Sequence, residues 1–471
     1  MANREVEAGK NSEMREPTLA RGGRNPLEAR EGASNTGSRE ERSYCEQKDL
    51  LEQVVEQANM LQALERVEFN RGGGGVDGMS TVELRPWLKM HWRMIKTKLL
   101  DGTYEPEAVK EVMIPKPDGG ERQLGIPTVL DRLIQQAIAQ VLMPMFDPDF
   151  SEQSYGFRPN KRAIQAVKQA REYQVEGKRW VVDLDLEKFF DEVNHDILMQ
   201  SLRKKIKDQR LLKLIGKYLR SGLMREGVES QRTKGTPQGG PLSPLLSNIL
   251  LDRFDKELEK RGHSYVRYAD DCNIYVQSKR SGERVLKSVT SWLGKHLKLK
   301  VNQAKSSVGR PWQRKFLGYS VTSNKKPKLR IAPKSVKRFK SKIKTLMRRG
   351  RGRNQQAFIA DTLNPVLRGW IGYYYQCETY GVLDQLDGWI RRRLRNIQWR
   401  QWKKPRTRRK KLLALGASEE TASASAYNGR GAWWNSGATH LNLLLPKKYF
   451  DKKGLISLQE RRLELDKIAL L

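Results

Sequence analysis

The stretch Arg267–Cys272, with the sequence RYADDC, places two adjacent aspartates between runs of residues that favour β-strand. This pattern predicts two short antiparallel strands with the acidic pair at or beside their turn. Two carboxylates held together repel each other, so they need a cation, and hard oxygen ligands suit Mg²⁺. A solvated turn is the simpler interpretation of these six residues alone, because Asp is a common turn residue.

A second acidic element lies at 180–191, with the sequence WVVDLDLEKFFD. Apolar residues alternate with Asp183 and Asp185, so one face of this strand is apolar and the other ends in two carboxylates. Carboxylates on so apolar a strand are costly to bury unless they are paired or bound to metal. An edge strand whose carboxylates face water is the alternative.

The charge of the chain points to a polyanionic partner. The 471 residues carry a net charge of +36, and residues 325–411 alone hold 27 basic and 4 acidic residues. Basic side chains gain affinity by releasing counterions from phosphates, so nucleic acid is the first choice of partner and a membrane surface the second. We expect nucleic-acid contact to be strongest in this basic segment.

Several classes of protein are excluded by what the sequence lacks. No apolar run approaches the roughly 18–20 residues that span a bilayer, and the first residues do not form a signal peptide. No phosphate loop of the form GxxxxGK[ST] occurs, which argues against an ATP-driven motor. The cysteines, Cys45, Cys272 and Cys377, offer neither a disulfide framework nor a CxxC metal site. We therefore expect a soluble cytoplasmic protein with no membrane partner.

Two further loops carry candidate binding residues. Residues 112–127 are typical of strand, tight turn and strand, with Lys116 and Arg122 flanking the turn. Such a hairpin could close over a triphosphate, although exposed charges on a hairpin are as good an interpretation of these residues alone. Gln238 lies in a Gly/Pro loop that leads into an apolar helical stripe, and such a segment is more often only a loop.

Taken together, these motifs closely resemble those of bacterial group II intron-encoded reverse transcriptases, also called maturases. The resemblance runs from about Tyr44 to the C-terminus, with the motifs in the family's order. The matching strings are PKPDGG…LGIPTVLDRLIQQAI, SYGFRP, VVDLDLEKFFD, GTPQGGPLSPLLSNILLD, YADD, LKLKVNQAKS and FLGY.

The resemblance implies an α+β fold of the right-hand polymerase type, with fingers, a palm built on an antiparallel sheet, and a helical thumb. It implies a division at these boundaries: a disordered segment at 1–43, an RNA-binding extension at 44–110, fingers and palm at 111–325, a thumb or domain X at 326–415, and a C-terminal segment at 416–471. The last segment is expected to be DNA-binding and to lack a nuclease, since it contains one histidine, His440, and no cysteine.

The resemblance also assigns roles to individual residues. Asp185, Asp270 and Asp271 match the catalytic carboxylates that bind two Mg²⁺ ions, for which Mn²⁺ is a possible substitute. The matches to nucleotide-binding residues are Lys116 and Arg122 for the triphosphate, Phe190 for exclusion of a ribose 2′-OH, Gln238 beside the incoming dNTP, and Lys305 near the site. Asp183 shares a face with Asp185 but is not expected to be a ligand.

The function implied is an RNA-directed DNA polymerase that also binds its group II intron RNA to assist splicing and intron mobility. Its expected partners are the intron RNA, an RNA template with a DNA primer, target DNA and dNTPs. Two alternatives stay open: a free-standing host reverse transcriptase for repair or defence, and an RNA-binding splicing factor without polymerase activity. The intact aspartates argue against the latter.

Overall fold

The computed structural model describes residues 49–115, 119–225, 228–230 and 233–470, and the chain divides into two compact units. The described part of the first unit is 49–332, and the second is 333–470. No helix within these described ranges is both long and apolar enough to cross a bilayer. Lys116, which the sequence places in the candidate nucleotide site, lies outside the described residues.

The first unit mixes helices and strands. Its helices are α1 (Leu50–Val54), α2 (Gln57–Asn70), α3 (Thr81–Leu100), α4 (Val129–Phe146), α5 (Ala163–Val175), α6 (Phe189–Glu192), α7 (His195–Arg203), α8 (Gln209–Arg220), α9 (Ser243–Lys260) and α10 (Lys279–His296). Its strands are β1 (Val109–Pro115), β2 (Glu121–Ile126), β3 (Trp180–Leu184), β4 (Leu223–Arg225), β5 (Val228–Ser230), β6 (Ser264–Tyr268), β7 (Asp271–Val276), β8 (Ser307–Gly309), β9 (Tyr319–Val321) and β10 (Leu329–Ile331).

One fully antiparallel sheet, in the order β6-β7-β3-β8, carries both acidic motifs. The hairpin predicted around the aspartates is confirmed, because β6 pairs with β7 from Ser264–Tyr275 to Tyr268–Asp271. The strand β3 lies against β7 with Leu184 opposite Cys272. This register brings the end of β3 to the beginning of β7, so two sequence motifs about 85 residues apart meet at one edge of the sheet.

The other sheets are smaller. The predicted hairpin of β1 and β2 is present and joins a four-stranded sheet in the order β2-β1-β4-β5, in which β1 and β4 run parallel. The strands β9 and β10 form a separate antiparallel pair. Together with the helices, these sheets confirm the predicted α+β class.

The core of the first unit is built on apolar stripes at helical spacing. The helix α9 buries Leu246, Leu250, Phe254 and Leu258 within it. Ser243 is the first residue of this helix and not its N-cap, because Leu242 holds the cap position with backbone already close to helical. Pro244 still lies in the first turn, where its missing N–H leaves no hydrogen bond unmade.

The second unit is helical in its described residues. Its α-helices are α11 (Pro333–Arg349), α12 (Gln355–Phe358), α13 (Asn364–Tyr374), α14 (Gly381–Gln401), α15 (Pro405–Ala414), α16 (Glu419–Ala426), α17 (Ala432–Asn435), α18 (Thr439–Leu444), α19 (Lys447–Lys452) and α20 (Leu458–Leu470). The sequence predicts three basic helices near 334–349, 355–376 and 382–402, and these correspond to α11, to α12 and α13 joined by a π-helical turn, and to α14. The Ser- and Ala-rich residues after 416 predict a linker, and this prediction is wrong because the stretch forms α16, capped by the Ser418 side chain.

A buried ion pair joins α9 to the β6 strand. Arg267 donates to both carboxylate oxygens of Asp255, at 2.7 and 2.5 Å, and the two side chains are 1% and 0% exposed. The remaining guanidinium nitrogen donates to the Asn248 side-chain oxygen at 3.0 Å and to the Ala269 carbonyl at 2.9 Å. A buried charge pair with every donor engaged is costly to break, because the surviving partner stays in a dry environment.

We expect Arg267→Met to lower the free energy of unfolding by about 3–5 kcal/mol, because it leaves the Asp255 carboxylate buried without a counter-charge. Urea unfolding of the full chain, followed by circular dichroism, measures the change. Arg267→Met combined with Asp255→Leu is expected to be more stable than Arg267→Met alone, since no bare charge remains. Lys279→Met is the control, because the Lys279–Glu283 pair is exposed and is worth no more than about 0.5 kcal/mol. An Arg267→Met loss no larger than that of the control would contradict this account.

Candidate active site

The candidate site forms where β3 ends and the β6–β7 turn begins. Asp185 directly follows β3, Asp270 lies in the turn, and Asp271 is the first residue of β7. Since Leu184 lies opposite Cys272, Asp185, the residue that follows β3, lies alongside Asp271. The structure thus brings together the three aspartates that the sequence singled out.

The turn that carries the aspartates is held by residues around it. Ala269 has a φ of 58°, a left-handed conformation that is rare for a residue with a side chain. Its carbonyl accepts from the buried Arg267, and Gly156 packs so closely that a methyl group there would overlap the Ala269 nitrogen. The Gly156 carbonyl in turn accepts from the Asn248 amide at 2.8 Å. Strain of this kind persists only where the surroundings over-determine it.

Electrostatic repulsion is concentrated in this small region. Desolvation by the surrounding protein, followed by the neighbouring Asp270, Asp183 and Asp185 carboxylates, raises the pKa of Asp271 to about 7, although this residue is still exposed to solvent. Burial also raises the pKa of Asp270, with a further contribution from Asp185. The pKa of Asp183 rises to about 6, mainly because of burial, against the opposing effect of Arg314. The site therefore holds more negative charge than its own protein surroundings neutralise.

The segment 302–306, which directly precedes β8, fixes the end of β3. Asn302 donates its backbone N–H to the Asp185 carbonyl at 2.9 Å, and the Asp185 N–H donates to the Ser306 hydroxyl at 2.9 Å. Lys305 lies between these two positions, and its ammonium is 3.7 Å from an Asp185 carboxylate oxygen. Its side chain is 66% exposed, so the cation can leave Asp185 for another anion at little cost.

The other predicted binding residues lie on two neighbouring elements. Arg122 is on β2, and its positive charge lowers the pKa of Asp270, against the larger effect of burial. Gln238 accepts from the Gly125 N–H of the same strand through its carbonyl, at 2.9 Å, and leaves its side chain half-exposed. The Gly/Pro loop therefore packs on the hairpin that carries Arg122, which the sequence alone did not show.

Phe190 lies just beyond the Asp185 strand, on the short helix α6. Its ring meets Phe189 edge to face, with centroids 5.2 Å apart, and is partly buried. Its carbonyl accepts from the Thr236 N–H at 2.7 Å, and Gly235, with φ at 90°, packs against the same backbone. These contacts fix the position of the Phe190 backbone relative to the loop that carries Gln238.

The carboxylates suit a divalent cation held in an open site. Among the described residues, no group of three or more His, Cys, Asp or Glu side chains is arranged to hold a metal ion. Mg²⁺ does not require one, because it usually binds one or two carboxylates and completes its shell with water and substrate phosphates. The oxygen donors fit such an ion, and so does the raised pKa of Asp271, which desolvation and then the neighbouring carboxylates cause.

Sequence reasoning missed the residues that support the site. Asp255 interrupts the apolar stripe of α9, next to Phe254, and a carboxylate at a core position signals a buried partner. Arg267 was part of the acidic motif, yet nothing local indicated that its partner lies twelve residues upstream. Asn248 and Ser306 left no pattern, because single polar residues in a helix or turn are common.

Comparison with known protein families adds an independent finding. Residues 114–321 match the family described as reverse transcriptase (RNA-dependent DNA polymerase). Residues 336–415 match the group II intron, maturase-specific domain. The two matches follow one another along the chain, and the first contains Asp185, Asp270 and Asp271.

Curated relatives agree with these matches. Protein YkfC of Escherichia coli (strain K12) is 32% identical over 296 residues, which cover 54% of this chain and 78% of YkfC. The group II intron-encoded protein LtrA of Lactococcus lactis subsp. cremoris is 39% identical over 165 residues, covering 35% of this chain and 27% of LtrA. A putative COX1/OXI3 intron 1 protein of Saccharomyces cerevisiae is 29% identical over 228 residues, covering 48% of this chain and 26% of that protein.

The alignment with LtrA thus spans about a quarter of that longer relative, whereas the alignment with YkfC spans most of it. This chain thus combines a reverse transcriptase domain with a maturase-specific domain. This chain belongs to the group II intron-encoded reverse transcriptases, and it carries an RNA-dependent DNA polymerase domain followed by a maturase domain.

Proposed function

We propose that this chain extends a DNA primer on an RNA template by two-metal nucleotidyl transfer, using dNTPs. The observation that carries the proposal is the convergence of Asp185, Asp270 and Asp271 at one sheet edge, with Asp271 raised to a pKa of about 7 by burial and by its neighbours. Such a cluster is stabilised most when cations and a substrate triphosphate bind together. Asp185, Asp270 and Asp271 would hold the two Mg²⁺ ions, whose charge would supply activation of the primer 3′-OH and stabilisation of the leaving pyrophosphate.

The chain's own residues have distinct roles in this proposal. Asp185 and Asp270 hold the cations, and Asp271 contributes from the adjacent position on β7. Lys305, already beside Asp185, and Arg122, whose charge reaches Asp270, meet the triphosphate. Lys116 is proposed for the same role from the sequence motif alone.

Selection of the nucleotide is assigned to two residues on neighbouring elements. Phe190 stands beside the sugar and rejects a 2′-OH by steric exclusion, and Gln238 lies beside the incoming dNTP. The contacts of Thr236 and Gly235 with the Phe190 backbone support this proposal, because they hold the ring's attachment point in place.

A second activity is proposed for the maturase domain: it binds the group II intron RNA and stabilises the form that splices. The helix α11 buries Phe339, Ile343 and Met347 on one face and carries eight Lys and Arg residues with no Asp or Glu. A face of one sign neutralises phosphates without competition from internal ion pairs. We assign fingers and palm to 111–325 and the thumb to 326–415. RNA contacts are assigned to 44–110 and DNA contacts to 416–471.

Primer extension tests the polymerase. With an RNA template, a DNA primer, dNTPs and Mg²⁺, we expect wild-type protein to yield long products and Asp270→Asn to lose at least roughly 100-fold in rate, as when a group that stabilises transition-state charge is removed. Asp196→Asn is the matched control, because Asp196 is an exposed carboxylate in the first turn of α7. Equal rates for the two variants would remove Asp270 from the proposal, and no extension by wild-type protein that still binds RNA would favour the splicing-factor alternative.

Discrimination against ribonucleotides tests Phe190. Phe190→Ala opens space beside the sugar, so we expect the ratio of kcat/KM for dNTP over rNTP to fall by roughly tenfold or more. Steady-state incorporation of one dNTP and the matching rNTP measures the ratio. Phe189→Leu is the comparison variant, since Phe189 is buried in the core and touches Phe190 only edge to face. A ratio unchanged in Phe190→Ala would remove this residue from the proposal.

The raised carboxyl pKa values predict a pH-dependent response to Mg²⁺. Asp183 and Asp271, with pKa values of about 6 and about 7, favour folding most below the unfolded value near 4. This contribution is lost as the pH rises through 6 and 7, because the folded chain must then hold bare charges. Bound Mg²⁺ offsets that loss.

We therefore expect Mg²⁺ to raise the Tm more at pH 8 than at pH 5.5, by about 2–4 °C for each kcal/mol of differential stabilisation. Differential scanning fluorimetry with Mg²⁺ or EDTA measures the shift, and Asp270→Asn should reduce it. The same Mg²⁺ shift at both pH values would show that these carboxylates do not bind the ion.

A further inference from the structure

The second unit contains an alternating stack of cations and indole rings. Lys340 of α11 lies over the Trp389 ring at 5.8 Å, and Arg393 lies over the same ring at 5.1 Å. Arg393 also lies over Trp433 at 4.6 Å, and Arg392 lies over Trp433 at 4.2 Å. We call these five residues the Arg–Trp ladder. They come from three separate helices, α11, α14 and α17.

The ladder is a rigid arrangement because its members are confined on several sides. Arg392 donates to the Trp433 carbonyl at 3.3 Å. Gly437 borders the same guanidinium, and a methyl group on Gly437 would lie 2.6 Å from its central carbon. A guanidinium stacked on a ring keeps its N–H donors in its own plane, directed past the ring edges.

The cations of the ladder are not neutralised by the part of the chain that the structure describes. The Nε atoms of Arg392 and Arg393 are buried and lack a hydrogen-bond partner. Burial, followed by the positive charges of Arg351 and Arg392, lowers the pKa of Arg393. Asp387, a carboxylate on the same helix, is engaged by the Ser457 hydroxyl and two backbone N–H groups at the start of α20. Buried polar groups without partners are uncommon, and a bound anion beside these two guanidinium groups would explain them.

We propose that the Arg–Trp ladder is a binding site for the phosphodiester backbone of a nucleic acid, in which Arg392 and Arg393 donate to phosphate oxygens. A planar guanidinium group can donate two parallel hydrogen bonds to phosphate oxygens. Stacking on the rings already orders the two long side chains, which reduces the entropy lost on binding. Arg351, exposed and close enough to affect Arg393, adds a third cation at the edge. The inference specifies one site within the nucleic-acid contacts proposed above, and in that respect it rests on them.

The arrangement favours phosphate over base recognition. Trp433 is 39% exposed and has two guanidinium groups against it, which leaves little ring surface for a base. The guanidinium groups, by contrast, are of one sign and have no carboxylate partner among the described residues. RNA and DNA present the same phosphodiester chemistry, so the two sources are separated by experiment.

The test is the salt dependence of binding by the full-length protein. Fluorescence anisotropy with a 30-nucleotide single-stranded RNA and with a 30-base-pair DNA duplex gives the affinity at a series of salt concentrations. We expect Arg392→Gln/Arg393→Gln to weaken binding at least roughly tenfold. The slope of log K against log salt should fall by about 1.4 on RNA or about 1.8 on the duplex, as two phosphate contacts are lost.

The matched control is Lys447→Gln/Arg461→Gln, which removes two cations from the same unit. Those cations already have carboxylate partners in Asp451, Glu460 and Glu464, so we expect their loss to change the slope little. A loss on RNA alone assigns the ladder to RNA, and a loss on duplex alone assigns it to DNA. A ladder variant indistinguishable from the control on both probes overturns the proposal.

A second variant decides the matter if the ladder variant unfolds. Arg351→Glu places a negative charge beside Arg393 from an exposed position that is not part of the stack, so the fold should persist with an unchanged Tm. We expect it to weaken binding at least roughly tenfold on the probe that the ladder uses, and unchanged binding on both probes overturns the proposal. Primer extension by wild-type protein reports separately on the polymerase, since Asp185, Asp270 and Asp271 belong to the other unit.

Discussion

Mutual repulsion among clustered carboxylates is the constraint on which the first unit depends. Asp183, Asp185, Asp270 and Asp271 stand at one sheet edge, and burial with like charge raises the pKa of Asp271 to about 7. The surrounding chain opposes this repulsion by holding the turn mechanically. Arg267 and Asn248 bind the backbone on either side of the contact between Gly156 and Ala269. In the function that we propose, the same negative charge opposes the metal-free fold and would favour a bound divalent cation.

The two units handle charge in opposite ways. The first concentrates anions at a small site, and buried hydrogen bonds and an ion pair hold the backbone around them. The second spreads cations over helices such as α11, which has no acidic residue, and stacks several of them on indole rings. Each arrangement leaves an excess of one sign that the protein itself does not neutralise. A polymerase with an intron RNA partner can use both arrangements. Divalent cations complement the carboxylates, and the phosphodiester backbone complements the basic helices.

Local patterns allowed much of this structure to be predicted. The β6–β7 hairpin, the strand β3 and the β1–β2 hairpin follow from alternation and turn chemistry, which depend on neighbouring residues. The helix α16 was missed because Ser and Ala dominate it, although Ser418 is a good N-cap. Contacts between distant residues left no local signal. Lys305 meets Asp185 across 120 positions, and its place near the site followed from the family resemblance, not from spacing. Arg267 with Asp255, and the ladder of Lys340, Trp389 and Trp433, required coordinates.

The buried support of Ala269 determines where motion can occur during turnover. A turn whose carbonyl is bound by a fully buried guanidinium, and whose nitrogen is pressed against Gly156, has no low-energy route to local opening. In the proposed reaction, nucleotide exchange would therefore draw its flexibility from exposed groups such as the Lys305 side chain. The Asp270–Asp271 turn would keep its position from one addition to the next. Such an enzyme should lose catalytic geometry only when the whole first unit unfolds, so heat inactivation and unfolding become a single event.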